Sequence, residues 1–332
     1  MMLISHEDTR MLIKGTVDKN FRADVLEGMA SSPREIPARW FYDRRGSELF
    51  EAITALPEYY PTRSERSILL KYAGEIAAMA GPGRAVVEFG SGSSAKTPLL
   101  LSAISPSAYV PIDISGDFLR ESAQNLGKMF PSVPVFPIEG DFTHPVALPP
   151  GIQGTRSLGF FPGSTIGNLL VPAAVDLLRA MAETLGEDSM LLIGIDRIKD
   201  PAILIPAYDD QQGVTAEFNL NLLCRINREL DGTIPVEAFR HLAKWNDDHA
   251  RIEMHLEALY DVDFTIEGYD FSMRRGETIH TENSHKYGPR DVDVLLRAGG
   301  WQPLADWTDV DGQFGVILAA TSRSGASLDE SV

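Results

Sequence analysis

Between about residues 63 and 198 the chain alternates helix-length stretches of 3.6-residue periodicity with short apolar runs. Ile68, Leu69, Tyr72, Ile76 and Met79 share one helical face. Ala85-Val86-Val87-Glu88-Phe89, with Gly and Pro before it and Gly after it, predicts a buried strand. A second strand, Ala108-Tyr109-Val110-Pro111-Ile112, leads into the amphipathic stretch Phe118, Leu119, Ala123, Leu126, Phe130. Val135-Phe136-Pro137-Ile138 predicts a third, weakened by its proline. Leu158-Gly159-Phe160-Phe161 and Met190-Leu191-Leu192-Ile193 bracket a helix over 172–185, where Pro172 suits a first turn and Gly186 a C-terminal cap. Strands separated by helices imply right-handed crossovers and a mostly parallel sheet. Residues 199–285 break that rhythm, with a helix at about 213–230 and β-like runs near 252–273; a helix over 292–298 and a strand over 315–321 then rejoin the sheet. The expectation is a doubly wound α/β core (63–198 plus 286–322), a second lobe (1–62 plus 199–285) and a frayed polar tail over 323–332.

The loop after the first strand carries the strongest chemical signal. In Glu88-Phe89-Gly90-Ser91-Gly92-Ser93-Ser94-Ala95-Lys96-Thr97, Gly90 and Gly92 let backbone approach a ligand before a helix begins. A dinucleotide fingerprint wants a third glycine where Ala95 stands. A phosphate-binding P-loop is missed by the same residue, and Glu88 is a poor neighbour for a triphosphate. A methyltransferase wants an acid just before Gly-x-Gly, to order the loop or to offset the sulfonium of S-adenosylmethionine. Asp113, at the end of the second strand, is placed to accept hydrogen bonds from both ribose hydroxyls. Asp141 and Phe142, after the third, can take an adenine amino group and cover its ring. Any one of these acids is equally well explained as a solvated loop residue. Together, at successive strand ends, they match an adenosyl ligand without phosphates better than the dinucleotide or the triphosphate.

Composition narrows the partners. The chain has 332 residues, about two domains' worth, and 47 Asp and Glu against 30 Lys and Arg leave a net charge of −17. Such a surface repels nucleic acid and anionic membranes. An apolar share of 44% is too high for disorder. The single cysteine, Cys224, can close no disulfide within the chain, and its place among Phe218, Leu222, Ile226 and Leu230 predicts an inert core thiol. The histidines at 241, 249, 255, 280 and 285 show no metal-ligand spacing, so no metal is expected. The N-terminal MMLISHEDTR lacks signal-peptide features, and no apolar stretch approaches the ~20 residues of a membrane span. A cytoplasmic, monomeric protein acting on a small molecule is expected.

Several longer motifs bear on which small molecule. They are Trp40-Phe41-Tyr42-Asp43-Arg44-Arg45-Gly46-Ser47-Glu48-Leu49-Phe50-Glu51, Leu56-Pro57-Glu58-Tyr59-Tyr60-Pro61-Thr62-Arg63-Ser64-Glu65, Phe161-Pro162-Gly163-Ser164-Thr165-Ile166-Gly167-Asn168 and Asn227-Arg228-Glu229-Leu230. With the glycine loop, they resemble the histidine-specific methyltransferase family from about residue 15 to 322. The resemblance implies a Rossmann-like class I methyltransferase core with an α+β substrate-binding lobe and S-adenosylmethionine as co-substrate. It further implies transfer of three methyl groups to the α-amine of L-histidine, giving hercynine, the first step of ergothioneine synthesis. By the family's pattern Tyr60, Asn168 and Tyr208 hold the amine and carboxylate end, with Tyr42 and Asn168 positioning the amine. Glu282 and Ser284 meet the imidazole, Met254 packs beside it, and Lys96 stands near the methionyl carboxylate. No dedicated base is evident; a tyrosine or water relay is one option. Asn283, His285 and Tyr287 depart from the more apolar residues expected beside these positions. Without the resemblance, Glu282 reads as a surface acid in a hairpin, Tyr59 and Tyr60 as core aromatics, and Asn168 as a turn residue. Two alternatives stay open: the same chemistry on another small amine, as in family members that methylate a tryptophan derivative, and a non-catalytic adenosyl-binding protein. The intact acids at 88, 113 and 141 speak against the second.

Overall fold

The computed structural model describes residues 18–321 apart from Ser93 and Ala95. The tail expected over 323–332 lies outside the described residues. Helix α1 (Lys19–Ala30) is capped by Asp18, whose carboxylate accepts the Asn20 N–H at 2.8 Å. Strand β1 (Arg34–Glu35), α2 (Arg44–Thr54) and α3 (Tyr60–Ala80) follow. Then come β2 (Ala85–Phe89), α4 (Thr97–Ile104), β3 (Ala108–Asp113), α5 (Gly116–Met129), β4 (Ile138–Glu139), β5 (Ser157–Phe161), α6 (Val171–Leu185) and β6 (Met190–Asp196). Next are α7 (Pro201–Tyr208) and α8 (Val214–Glu229), then β7 (Phe239–Asn246), β8 (Arg251–Ala258), β9 (Val262–Ile266), β10 (Tyr269–Met273) and β11 (Thr278–His285). The described chain closes with α9 (Pro289–Ala298), β12 (Trp301–Thr308) and β13 (Phe314–Thr321). No helix among the described residues is long and apolar enough to cross a membrane.

Two compact units emerge. The larger takes residues 54–207, 245–252 and 283–321; the smaller takes 18–53, 208–244 and 253–282. Residues 54–62, 199–207, 245–252 and 283–285, grouped with the second lobe from sequence, fall in the larger unit. Tyr60 and Ser284 go with them.

The larger unit is built on a seven-stranded sheet in the order β12-β13-β6-β5-β2-β3-β4. Pairs β6·β5, β5·β2, β2·β3 and β3·β4 are parallel, whereas β13 runs antiparallel to both β6 and β12. This is a doubly wound, Rossmann-like sheet, and helices cover both faces. On one, Ile68 and Ile76 of α3 and Leu100, Leu101 and Ile104 of α4 meet Val86, Tyr109, Phe160 and Leu192. On the other, Leu177, Leu178 and Met181 of α6 and Leu295 and Leu296 of α9 meet Val87, Val110, Phe161 and Ile193. Strands buried on both faces need apolar residues at every position, which explains the unbroken runs in the sequence. Each such Leu or Ile contributes about 1.5–3 kcal/mol by leaving water.

The third strand departs from its expected span. Pro137 has no N–H to give a ladder, so Val135 makes an isolated bridge to Tyr109 and the strand proper is Ile138–Glu139. Helix α3 begins at Tyr60, with Pro61 in its first turn.

The smaller unit carries α1, α8 and most of a four-stranded sheet, β1-β11-β8-β7, together with the β9–β10 hairpin. Phe41 packs on Phe218 of α8 at 4.6 Å between ring centroids, and the Arg225 guanidinium lies 4.4 Å over the Phe21 ring. Cys224 corrects an expectation: it is exposed. Phe218, Leu222 and Ile226 are indeed buried, but a residue two places from Leu222 cannot share its helical face.

Candidate active site

Strand β2 ends in the glycine loop, where Gly90 has φ +70° and Gly92 φ +48°, conformations that favour glycine. A Cβ on Gly90 would come within 3.3 Å of the Phe142 ring. Glu88 lies wholly in the interior and accepts hydrogen bonds from Thr97 Oγ1 at 2.7 Å and from the Tyr109 hydroxyl at 2.5 Å. Thr97 opens α4, so the carboxylate ties the end of the strand to the start of the helix across the loop. Of the two roles weighed for this acid, its contacts are those of loop ordering. Burial pushes its carboxyl up to about 7, against the opposing effect of the two hydroxyl donors.

Asp113 continues the pattern at the end of β3. One oxygen accepts the Gly92 N–H and the other the Ser115 N–H, both at 2.9 Å. Burial raises the group above its ordinary value, against the backbone N–H groups of Ser115, Gly92 and Ile114, which lower it. Asp141 accepts the Thr143 N–H at 2.9 Å and its hydroxyl at 2.6 Å. Phe142 stands edge-on to Phe89 and Phe161, with centroids 6.2 and 5.9 Å away. Gly90, Gly92, Asp113 and Phe142 therefore gather at the carboxyl ends of adjacent parallel strands, the edge where doubly wound sheets take ligands.

Lys96 pairs with Glu65, an acid buried at 1% exposure. Glu65 also accepts the Gly163 N–H at 2.9 Å, and its carboxylate fills the space that a Cβ on Gly194 would need. Sequence reasoning missed Glu65. Its signal was an acid on the apolar stripe of α3, one turn before Ile68 and Leu69.

Tyr60 and Ser284 enter one buried network within the larger unit. The Tyr60 hydroxyl donates to Asp196 at 2.7 Å; Lys286 Nζ donates to Asp196 at 2.7 Å and to Ser284 Oγ at 2.8 Å. Lys199 Nζ donates to Tyr60 Oη at 2.7 Å, to the Arg197 carbonyl at 2.8 Å and to Asp196. The two flanking ammonium groups hold the Asp196 carboxyl below its ordinary value despite complete burial. Asn168, half-buried, ends a short 3-10 turn (Thr165–Asn168). His285 Nδ1 steadies that turn by donating to the Gly167 carbonyl at 2.8 Å. None of Asp196, Lys199 and Lys286 was anticipated: buried charges far apart in sequence look like loop residues.

In the smaller unit a chain of hydrogen bonds joins Tyr208 to Met254. His241 Nε2 donates to the Tyr208 carbonyl at 2.7 Å, and Asn219 Nδ2 donates to His241 Nδ1 at 2.8 Å. Thr281 Oγ1 donates to Asn219 Oδ1 at 2.9 Å and to the Met254 carbonyl at 3.0 Å. Glu282, next to Thr281, is half-buried on β11. Tyr42 packs edge-on against Phe50 and Phe218, at 5.6 and 5.8 Å.

Although the histidines show no metal spacing in sequence, the fold draws two of them together. One ligand atom from each of Glu253, His255 and His280 lies within 4.8 Å of the others. The two rings stack at 4.7 Å and 18°, Glu253 also faces Lys244 at 3.9 Å, and burial pulls His255 down to about 4. Of the residues that depart from the expected pattern, Asn283 Oδ1 and the Tyr287 hydroxyl are buried with no hydrogen-bond partner among the described residues, and burial pushes Tyr287 up to about 12.

A mostly parallel Rossmann-like sheet, with a glycine loop after β2 and acids at the following strand ends, defines the S-adenosylmethionine-dependent methyltransferase class. Residues 21–321 match the family described as histidine-specific, S-adenosylmethionine-dependent methyltransferases. The chain belongs to that family. It is 40% identical over 304 residues to a histidine N-alpha-methyltransferase of Mycolicibacterium smegmatis, covering 90% of this chain and 94% of that one. A histidine N-alpha-methyltransferase of Mycobacterium tuberculosis is 42% identical over 311 residues, with the same coverage. Ergothioneine biosynthesis protein 1 of Neurospora crassa is 31% identical over 343 residues, spanning 99% of this chain and 38% of its own length.

Proposed function

We propose that the enzyme transfers three methyl groups from S-adenosylmethionine to the α-amine of L-histidine, giving hercynine, as the first step of ergothioneine biosynthesis. The observation that carries this is the match to a histidine-specific family over residues 21–321. The similarity to proteins named histidine N-alpha-methyltransferase supports the α-amine as the target.

S-adenosylmethionine supplies an electrophilic methyl on a good leaving group, so the protein's work is positioning and desolvation. Gly90 and Gly92 leave room for the ligand, Asp113 takes the ribose hydroxyls, and Asp141 with Phe142 takes the adenine. Lys96, its charge shared with Glu65, serves the methionyl carboxylate. The Asp113 carboxylate at the end of β3 and the open space beside Gly92 are compatible with such a ligand. Tyr60, Asn168 and Tyr208 are assigned to the amine and carboxylate of histidine, with Tyr42 and Asn168 positioning the amine. Glu282 and Ser284 are assigned to the two imidazole nitrogens, and Met254 to the ring. An indole offers one N–H and could not serve both polar partners, which gives discrimination against tryptophan. The acidic surface tolerates the cationic cofactor and products, while the substrate carboxylate calls for the neutral donors Asn168 and the tyrosines.

One incubation with S-adenosylmethionine and an equimolar mixture of the common amino acids, read by mass spectrometry, tests the assignment. Methyl groups on histidine alone are expected. Methylation of another amino acid overturns the substrate, and no methylated product favours a binding protein.

A further inference from the structure

The network around Asp196 holds more positive than negative charge in a space with almost no water. Asp196 is fully buried, and the side chains of Lys286 and Lys199 are 0% and 7% exposed. One carboxylate therefore bonds directly to two ammonium groups, with Asp309 adding only the smallest of the charge effects on Lys199. Such a cluster becomes neutral only by gaining an anion or losing a proton, and burying an uncompensated charge is costly.

The contacts of Lys199 show where a proton can leave. Its three partners are the Asp196 carboxylate, the Arg197 carbonyl and the Tyr60 hydroxyl. The first two can only accept. A neutral Lys199 has two hydrogens and one lone pair, and the lone pair has only Tyr60 to serve. The phenol can play both parts. It now accepts from Lys199 and donates to Asp196, and by turning its hydrogen it would donate to Lys199 instead. Its ring also lies 4.4 Å below the Lys199 ammonium. Lys286, by contrast, is committed to Asp196 and Ser284.

From this geometry, and resting on the proposal that Tyr60 lies at the amine and carboxylate end of the substrate, we infer that Tyr60 and Lys199 form the proton relay that readies the amine for each methyl transfer. The substrate ammonium passes a proton to Tyr60 Oη while the Tyr60 hydrogen passes to the neutral Lys199 Nζ. The amine nitrogen, its lone pair now free, bonds to the methyl carbon as the carbon–sulfur bond breaks and its electron pair stays on sulfur. The new methylammonium needs the same step before the second and third transfers, so Lys199 gives its proton to solvent between rounds. After the third transfer no proton remains on nitrogen and the relay stops.

Burial pulls the Lys199 ammonium down to about 8, the facing charges being Asp196 and Asp309, which raise it, and Lys286, which lowers it. At that value a neutral fraction exists at physiological pH. Asp196, held low between two cations, is a poor alternative base. Lys199 acts through Tyr60 and is a positioning and relay residue.

Lys199→Arg keeps a cation beside Asp196 but cannot shed a proton near neutrality. The pH dependence of kcat and KM for this variant and for the wild-type enzyme is the first readout. Wild-type kcat should rise with pH through about 8 and level off; the variant should lose that limb, with kcat at pH 8 down about 100-fold, within the usual span for a general base. KM for both substrates should stay within about threefold. A variant that keeps the limb and the rate, or loses KM and kcat together, overturns the relay. The second readout needs no turnover: 13C-lysine NMR of the wild-type enzyme, with the Lys199 signal assigned by its loss in the variant. Titration near 8 supports the relay, and retention of the proton above pH 10 overturns it. Should the wild-type enzyme methylate a different amine, the histidine assignment falls, and the same comparisons made with that amine still decide the relay.

Discussion

Asp196→Asn removes one charge from the interior while keeping shape and backbone. Asp196 is 0% exposed and takes hydrogen bonds from Tyr60, Lys199 and Lys286. Taking away one partner of a buried ion pair costs about 3–5 kcal/mol, because the remaining charge is left uncompensated. Here a partial escape exists. Lys199 already titrates at about 8 and falls lower without Asp196, so losing its proton at pH 7 costs less than about 1.4 kcal/mol. The variant will take that route, which holds the loss near the lower end, about 3 kcal/mol. At about 2–4 °C per kcal/mol, Tm falls by roughly 6–12 °C. The folded-state pKa of Asp196 lies below its unfolded value, so its contribution is complete at neutral pH and fades as pH falls through the folded value. Lys199 adds a second dependence. Asp196 raises its pKa, so the wild-type protein holds a proton there that the variant has lost; the deficit shrinks as pH rises through about 8 and levels off above it. Urea unfolding followed by circular dichroism at pH 7 and pH 9 measures both effects. A deficit under 1 kcal/mol at pH 7, or one that grows toward pH 9, would refute the buried-charge reasoning.

Three further outcomes are expected. Gly90→Ala forces a Cβ toward the Phe142 ring at a φ of +70°, a strain of about 1–2 kcal/mol; calorimetric titration with S-adenosylhomocysteine should show roughly 5- to 30-fold weaker binding with the fold intact. Glu88 has a folded pKa of about 7 against 4.5, so it favours the folded state most below pH 4.5 and loses that contribution as pH rises to about 7. Between pH 4.5 and pH 7 the stability of the wild-type protein should therefore fall relative to Glu88→Gln, by up to about 3 kcal/mol in denaturant titrations. Glu282→Ala should raise KM for histidine about 10- to 150-fold, the worth of a charged hydrogen bond of about 1.5–3 kcal/mol, while cofactor affinity changes less than twofold; equal losses for both ligands would sink the imidazole assignment.

The parallel core was legible because Val86 and Val87, neighbours in sequence, are both fully buried, one on each face of the sheet. Such strands leave an unbroken apolar signature. Strands β7 and β11 were not legible, since Arg240, Lys244, Glu282 and Asn283 interrupt the apolar pattern of half-covered strands. Strand β12 hides behind Pro303, where its pairing with β13 slips by a residue. The glycine loop showed itself through local spacing, and its acids sit where that spacing put them. The Asp196–Lys199–Lys286 cluster depends on contacts between positions 90 residues apart, and nothing local to Lys286 marks it as buried. Residue types near the site could be matched to a family. Their charge balance needed the fold.

The central proposal, repeated methylation of one nitrogen, is tested most directly by a time course with L-histidine alone and S-adenosylmethionine carrying a deuterated methyl, followed by tandem mass spectrometry. Histidine should gain one, two and then three labelled methyl groups, all retained on the fragment that holds the α-nitrogen, with hercynine as the end product. Arrest at a single methyl group, or label on the imidazole, would contradict it.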